Sequence, residues 1–125
     1  MSMFLAQETL LSGVAGAVSN ATIYSDSTKF RSTTGYAGMM VTIAVAGATG
    51  ITITQQCSVD GTHWYDPVDP DDTAMGEVTT AAAATTKYVQ FSPVLAPYIR
   101  FKIVEDNTGA ITQCTLRLVY QEASV

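Results

Sequence analysis

The one histidine and the one tryptophan of this chain lie in a single short stretch, S-V-D-G-T-H-W, at residues 58–64. Nucleophilic catalysis needs a nucleophile, a base within reach and a third group that orients the base. His63 is the only candidate histidine base, and we expect it to be exposed at the tip of a turn. The sequence also lacks the G-x-S-x-G elbow of many hydrolases. We therefore predict that the chain is not an enzyme.

The same stretch has the composition of a tight turn that side chains close. Gly61 can adopt a positive φ without a Cβ penalty, and the carboxylate of Asp60 can cap amides just ahead in the chain. Ser58 can add a second side-chain bond across the turn. Trp64 begins the next segment, where its indole can cover the end of the fold. We interpret Ser58, Asp60, Gly61 and Trp64 as a structural turn.

Four aspartates follow at once, and they suggest a Ca²⁺ site because calcium prefers hard oxygen ligands on flexible loops. These candidates are Asp66, Asp69, Asp71 and Asp72. The run also contains two prolines and lacks the spaced acids of an EF-hand. Glycoside hydrolysis would instead need carboxylates on separate elements across a cleft. We therefore expect a solvated, proline-stiffened loop, with no metal and no cofactor.

The two cysteines, Cys57 and Cys114, fall in strand-like runs in phase with apolar neighbours. We predict buried free thiols that behave as small hydrophobic side chains. A single disulfide between adjacent strands stays open as an alternative. The spacing does not match that of a zinc site.

The bulk composition describes one acidic domain with few charges. A length of 125 residues fits a single domain, and only 14% of the residues are charged against 47% hydrophobic. The net charge is −5, and the six basic residues form no cluster, which argues against nucleic acid and against an anionic membrane surface. No run approaches the roughly 18 apolar residues of a membrane span. The N-terminus lacks the basic region of a secretory signal, so we expect mature sequence.

Alternating apolar and polar residues predict β-strands along most of the chain. The clearest runs are residues 39–46, 51–59, 98–104 and 114–120. Short connections join the first run to the second and the third to the fourth, so each pair is predicted to form a hairpin. Weaker strands are predicted at 21–25 and 87–91, and residues 79–86 are predicted to be a loop or edge segment.

Several strands separated by turn signals, with poor helix signals, predict an all-β domain. We predict a single antiparallel β-sandwich, Ig-like or jelly-roll-like, with little or no helix, and a barrel is the alternative. Pro93 and Pro97 bracket a connection where the chain can change sheets. The predicted core is Val41, Ile43, Val45, Ile51, Ile53, Ile99, Phe101, Ile103, Leu116 and Leu118.

The first twenty residues are small and apolar and differ from the rest. We divide the chain into residues 1–20, an N-terminal arm or first strand, and residues 21–125, the β-sandwich domain. An arm of this kind can order on a neighbouring subunit. Partner contacts are therefore predicted at Phe4, Leu5, Leu10, Leu11, Val14 and Val18, together with loops at one end of the sandwich.

The pattern Ser-x-Asp-Gly-x-x-Trp at residues 58–64 is similar to the Asp-box turn of sialidase-type propellers, but it is one residue shorter and occurs once. Together with P-Y-I-R-F-K-I at residues 97–103, it also resembles small β-sandwich proteins of tailed bacteriophages, including head decoration (cement) proteins. The resemblance implies a virion protein on the capsid surface, assembled in the host cytoplasm. It implies the major capsid protein and copies of the chain itself, as a possible trimer, as partners.

Two further functions stay open. The first is a carbohydrate-binding or adhesin-like module, in which exposed aromatic rings would stack on sugar faces; the candidates are Trp64, Tyr65, Tyr36 and Tyr98. Exposure of Trp64 separates this function from the structural one. The second is an assembly domain without any phage connection, and a tail or neck component of a virion is a variant of the main hypothesis.

Overall fold

The computed structural model describes residues 3–11, 22–46, 50–81, 84–105 and 110–123. These ranges form nine β-strands and no helix. The strands are β1 (Met3–Leu11), β2 (Thr22–Tyr24), β3 (Thr28–Lys29), β4 (Ser32–Ala46), β5 (Ile51–Ser58), β6 (Glu77–Ala81), β7 (Ala84–Phe91), β8 (Tyr98–Glu105) and β9 (Ala110–Ala123). Among the described residues, no helix is long and apolar enough to cross a membrane.

The strands form two antiparallel sheets that pack face to face. The first sheet has the order β1-β9-β4-β7, and the second has the order β2-β8-β5-β6. The short strand β3 also pairs with β8, so β2 and β3 form one interrupted edge. Strands β4 to β9 pass between the sheets repeatedly, which is the arrangement of a jelly roll. The predicted β-sandwich is confirmed, and the topology selects the jelly-roll alternative.

Both predicted hairpins are wrong. β4 pairs with β7 and β9, and β5 pairs with β6 and β8, so the connection from β4 to β5 changes sheets. The connection from β8 to β9 changes sheets in the same way. The alternation of apolar and polar residues shows which face of a strand is buried. Two consecutive strands show the same alternation whether they pair within one sheet or lie in opposite sheets. A short connection therefore fits both arrangements.

Two other predictions concern the connections between strands. The chain leaves the first sheet after β7 and enters the second at β8, so the predicted change of sheet between Pro93 and Pro97 is confirmed. The predicted loop or edge segment at 79–86 contains the end of β6 and the start of β7. These two strands are the edges of the second and first sheets, respectively.

The core lies between the two sheets and contains the predicted residues. Every predicted core side chain that the structure describes is at most 2% exposed, and the side chain of Val45 lies outside the described residues. Met39, Cys114 and Tyr120 join this core. Both cysteines are free: Cys114 is buried and Cys57 is half-buried.

The open sides of the sandwich are closed by polar contacts between edge strands. On one side the hydroxyl of Thr28 donates to Glu8 Oε2 at 2.6 Å, and the amide of Asp26 donates to the carbonyl of Leu10 at 2.7 Å. On the other side Lys87 Nζ donates to the carbonyl of Thr80 at 2.7 Å. These contacts join β1 to the segment around β3, and β7 to β6.

Candidate functional site

The turn at residues 58–64 is held by its own side chains. The hydroxyl of Ser58 accepts the amide of Gly61 at 2.8 Å, and Gly61 has a φ of 80°. Asp60 Oδ1 accepts the amides of Thr62 and His63 at 2.8 and 2.9 Å. These are the contacts that the sequence predicts for Ser58, Asp60 and Gly61.

The ring of His63 contacts the carboxylate of Asp60 in this turn. Its Nδ1 lies 2.7 Å from Asp60 Oδ2, and the side chain is 71% exposed. The backbone amide of His63, followed by its ring and the amide of Thr62, holds the pKa of Asp60 well below its ordinary value. The His63 ring therefore contacts the carboxylate that caps the turn.

Trp64 does not cover the end of the core. It is half-buried, and its ring lies 4.6 Å from the guanidinium carbon of Arg100, on the outer side of the second sheet. The ring of Tyr24 lies 4.2 Å from the same carbon, so the guanidinium is held by two aromatic rings. Such cation–π contacts hold both the ring and the cation in place. The indole is therefore engaged by Arg100, while Tyr65 beside it is 64% exposed.

A chain of polar contacts extends from Arg100 across the second sheet. Arg100 Nε donates to Gln56 Oε1 at 2.8 Å, and Gln56 Nε2 donates to Asp66 Oδ1 at 2.9 Å. Lys102 Nζ also reaches Asp66, at 3.3 Å from Oδ2. The amide of Gln56 and then the ammonium of Lys102 lower the pKa of the Asp66 carboxyl, although partial burial raises it. This network ties β5 and β8 to the loop that carries Asp66.

A groove of about 360 Å³ opens beside this network. Its polar rim includes Asp66, Glu77 and Lys102, and Pro67 and Val104 supply apolar walls. The hydroxyl of Thr54, which also borders the groove, is the one buried side-chain polar atom among the described residues without a hydrogen-bond partner.

The four aspartates of the candidate calcium loop do not converge. Asp66 faces the second sheet, whereas Asp69 Oδ1 accepts the amides of Asp71 and Thr73 at 2.8 and 3.0 Å. Asp72 has a φ of 62° within the turn that Asp69 caps. Over the described residues, which include 50–81, no three acids, histidines or cysteines lie together as metal ligands.

Tyr36 is separated from the other three aromatic residues proposed for sugar stacking, which lie near the second sheet. Tyr36 lies on the outer face of the first sheet and is 62% exposed. Tyr98 is half-buried beside Gly61, at the start of β8. Trp64 is engaged by Arg100, and Tyr65 borders a separate groove.

The predicted N-terminal contacts are distributed over different environments. Leu5 is 74% exposed on β1, Leu11 is half-buried against the core, and Leu10 is 3% exposed within it. The core position of Leu10 removes it from the surface that a partner can reach. The side chain of Phe4, together with Val14 and Val18, lies outside the described residues.

Leu5 borders an uncharged surface that the sequence analysis missed. A shallow groove of about 220 Å³ lies on the outer face of the first sheet, and none of its lining residues is charged. Tyr36 and Tyr88 contribute exposed rings, and the ring of Tyr88 covers Gly38 so closely that a side chain at that position would displace it. We call this surface, lined by Leu5, Tyr36, Gly38, Tyr88, Gln90 and Val119, the first-sheet face.

No protein-family model matches this chain, and no curated protein matches it. Among solved structures, VP2 of infectious bursal disease virus in a subviral particle is similar, with a TM-score of 0.50 and 13% identity. That match covers 94% of this chain and 32% of the VP2 chain. The chain thus spans about a third of the length of the viral chains it matches. The similarity shows the fold alone, a β-sandwich of two packed antiparallel sheets.

Two other solved structures are similar over nearly their whole length. One is the CBM36-1 domain of a multidomain xylanase from the hindgut metagenome of Trinervitermes trinervoides, with a TM-score of 0.46, 6% identity and coverage of 94% of this chain and 96% of that domain. The other belongs to the disulfide-linked pili of Bacillus endospore appendages, with a TM-score of 0.43, 11% identity and coverage of 98% and 93%.

Proposed function

We propose that this chain is a non-enzymatic structural protein of a virion, which decorates a bacteriophage capsid and bridges neighbouring subunits. The partners in this proposal are the major capsid protein and further copies of the chain. Two points support it besides the fold that the chain shares with VP2 of a viral particle. These are the Ser58–Trp64 turn and the 97–103 segment, which resemble those of phage decoration proteins.

The observation that carries the proposal is the first-sheet face. It exposes one aliphatic and two aromatic side chains, at 74% for Leu5, 62% for Tyr36 and 61% for Tyr88, around a groove without charged residues. Contiguous apolar surface that a protein leaves exposed usually serves an interaction. Interface centres are depleted in charge and enriched in aromatic residues. The outer face of the second sheet instead carries Arg100, Lys102 and Asp66 in one network.

A sheet face is suited to bridging, because it is broad and its shape is fixed by the strands beneath it. Here the centre of the surface lies on β4 and β9, the two inner strands of the first sheet. One small contact of this kind binds weakly. Many copies at equivalent positions on a shell gain affinity through multivalency, because binding at one site holds the neighbouring site close to its partner.

The first test is the protein content of purified virions from the phage that encodes this chain. Quantitative mass spectrometry is expected to find the chain in a copy number comparable to that of the major capsid protein. A few copies per virion would indicate a tail or neck component, and absence from virions would refute the proposal.

The second test locates the contact with a matched pair of variants. Leu5→Gln changes the first-sheet face, and Val68→Gln changes an exposed residue on the acidic loop of the second sheet. Co-sedimentation with capsids that lack the chain is expected to weaken for Leu5→Gln and to stay at the wild-type level for Val68→Gln. Equal binding by both variants would exclude the first-sheet face as the capsid contact.

A carbohydrate-binding module is the second candidate, and the groove beside Asp66 is the observation that favours it. Carboxylates, an ammonium group and hydroxyls around apolar walls are groups that bind sugars in clefts of this size. A glycan screen with wild type and Asp66→Asn tests this function. Binding that the variant loses would support the module, and no binding by the wild type would remove it.

A further inference from the structure

A second apolar surface lies at one end of the sandwich, away from the first-sheet face. Three side chains protrude there: Leu95 is 91% exposed, Val59 is 77% exposed and Tyr65 is 64% exposed. Between them is a groove of about 170 Å³. The groove is lined by Cys57, Ser58, Val59, Tyr65, Leu95, Ala96 and Pro97, and we call this surface the end patch.

The end patch is held in place from both sides. The backbones of Tyr65 and Cys57 exchange two hydrogen bonds of 2.9 and 3.0 Å. On the other side, Gln55 is 1% exposed, and its amide both donates to the carbonyl of Val94 at 2.8 Å and accepts the amide of Val94 at 2.9 Å. Leu95 follows directly in the chain, so its exposure occurs on a fixed backbone. A surface fixed in this way loses little conformational freedom when a partner binds.

The charge distribution permits a second copy of this chain as the partner. None of the residues that line the end patch carries a carboxylate, an ammonium or a guanidinium group, although the chain as a whole has a net charge of −5. Two copies of such a chain repel one another over most orientations. The end patch is a place where two copies can meet without bringing like charges together, and it presents both a protruding leucine and an apolar groove.

We propose that the end patch is a contact between two copies of this chain, in which Leu95 of each copy enters the groove of the other. A surface that carries its own complement suits a two-fold contact, because the same residues meet on both sides. The proposal deepens the proposed function, on which it rests, by naming a self-contact within the virion assembly. It places this contact on a different surface from the one that faces the capsid.

The size of the patch sets the expected strength. Seven residues line the groove, whereas a stable interface uses about 20–30 residues on each side. The contact is therefore expected to be weak between free chains and to be effective when an array of capsid sites holds copies close together. The contact between two end patches should form in concentrated solutions of the protein and should be absent from dilute solutions.

Cys57 allows the contact to be measured directly. It lines the groove and is half-buried, whereas Cys114 is 1% exposed in the core. Burial raises the pKa of both thiols, and it raises that of Cys114 to about 11. A maleimide reagent will therefore modify Cys57 first. The modification rate of Cys57 is expected to fall several-fold between protein concentrations of about 10 μM and about 1 mM, a range that includes weak protein contacts.

The matched variants are Leu95→Gln, within the patch, and Val68→Gln, exposed elsewhere. Leu95→Gln should abolish the protection of Cys57 at high concentration, and Val68→Gln should keep it. Sedimentation equilibrium should show self-association of the wild type and of Val68→Gln, and weaker self-association of Leu95→Gln. A Cys57 rate that does not depend on concentration in the wild type, or protection that survives in Leu95→Gln, would overturn the proposal.

The outcome can be separated from that of the virion experiments. If Cys57 stays unprotected while the chain is found on capsids, the self-contact is wrong and the proposed function stands. If Cys57 is protected and the chain is absent from virions, the self-contact stands and the proposed function is wrong.

Discussion

Gln55 is a buried polar side chain that joins β5 to the connection between β7 and β8. Its amide makes two hydrogen bonds to the backbone of Val94, at 2.8 and 2.9 Å, and it is 1% exposed. We predict that Gln55→Leu lowers the free energy of unfolding by a net amount of about 2 kcal/mol. The two backbone groups of Val94 that lose their partners cost about 1–3 kcal/mol each. Burial of the leucine side chain recovers about 1.5–3 kcal/mol of that total cost.

The assay is urea denaturation at pH 7, followed by far-UV circular dichroism. The control is Gln113→Leu, an exposed position on β9, which is expected to change the free energy of unfolding by less than about 0.5 kcal/mol. If Gln55→Leu were as stable as the wild type, the backbone of Val94 would not depend on this side chain. The fixed position of Leu95 would then lose its explanation.

A second variant, Gln55→Glu, tests the same contact through pH. A carboxylate can accept the amide of Val94 but has no hydrogen to donate to the carbonyl. Burial should raise the pKa of this glutamate above its usual value of about 4.3. The protonated form can donate, so stability relative to the wild type should be greatest below about pH 4.3 and should fall as the pH rises through the folded-state pKa. A difference that stays constant between pH 4 and pH 7 would contradict this account.

Three other substitutions test the turn and its surroundings by the same denaturation assay. Arg100→Met removes two cation–π contacts and one hydrogen bond, so it should lower the free energy of unfolding by about 2 kcal/mol. It should also shift the fluorescence emission of Trp64, the only tryptophan. Substitution of the exposed Arg117 by Met should change neither quantity. Gly61→Ala places a Cβ at a φ of 80° and should lower the free energy of unfolding by about 1–2 kcal/mol. Gly35→Ala, with open space around the glycine, should leave the free energy of unfolding nearly unchanged. Equal effects of the two substitutions would refute the strain argument. The pKa of Asp60 is depressed in the fold, so its contribution should be complete above its unfolded pKa of about 3.9 and should disappear as the pH falls through the folded value. The stability difference between the wild type and Asp60→Asn should therefore narrow in acid, and a pH-independent difference would show that the carboxylate charge has no role.

Much of the interior could be predicted because burial follows from alternation within a single strand. Ile99, Phe101 and Ile103 occupy one face of β8 whichever strand lies beside it, and all three are fully buried. The limits of this signal appear at the end of β5. Val59 continues the apolar phase in sequence, but the strand ends at Ser58 and Val59 is 77% exposed.

The candidate site was predictable only where its contacts are local. Ser58, Asp60 and Gly61 bond within a few residues of one another, so turn chemistry alone identified them. The position of Trp64 depends on Arg100, which lies on β8, and nothing near either residue in the sequence marks the pair. The first-sheet face and the end patch were missed for the same reason, since each is assembled from separate segments.

The sequence by itself determined the fold class, which side of each main strand is buried, and the cap that Asp60 forms over its turn. These features depend on a residue and its near neighbours, where stereochemistry and hydrophobicity act directly. Only the tertiary structure decided that β4 pairs with β9 and β5 with β8, because a pattern of period two gives no information about the partner of a strand. The exposed surfaces follow from that pairing, since it alone places Leu5 beside Tyr36 and Leu95 beside Tyr65.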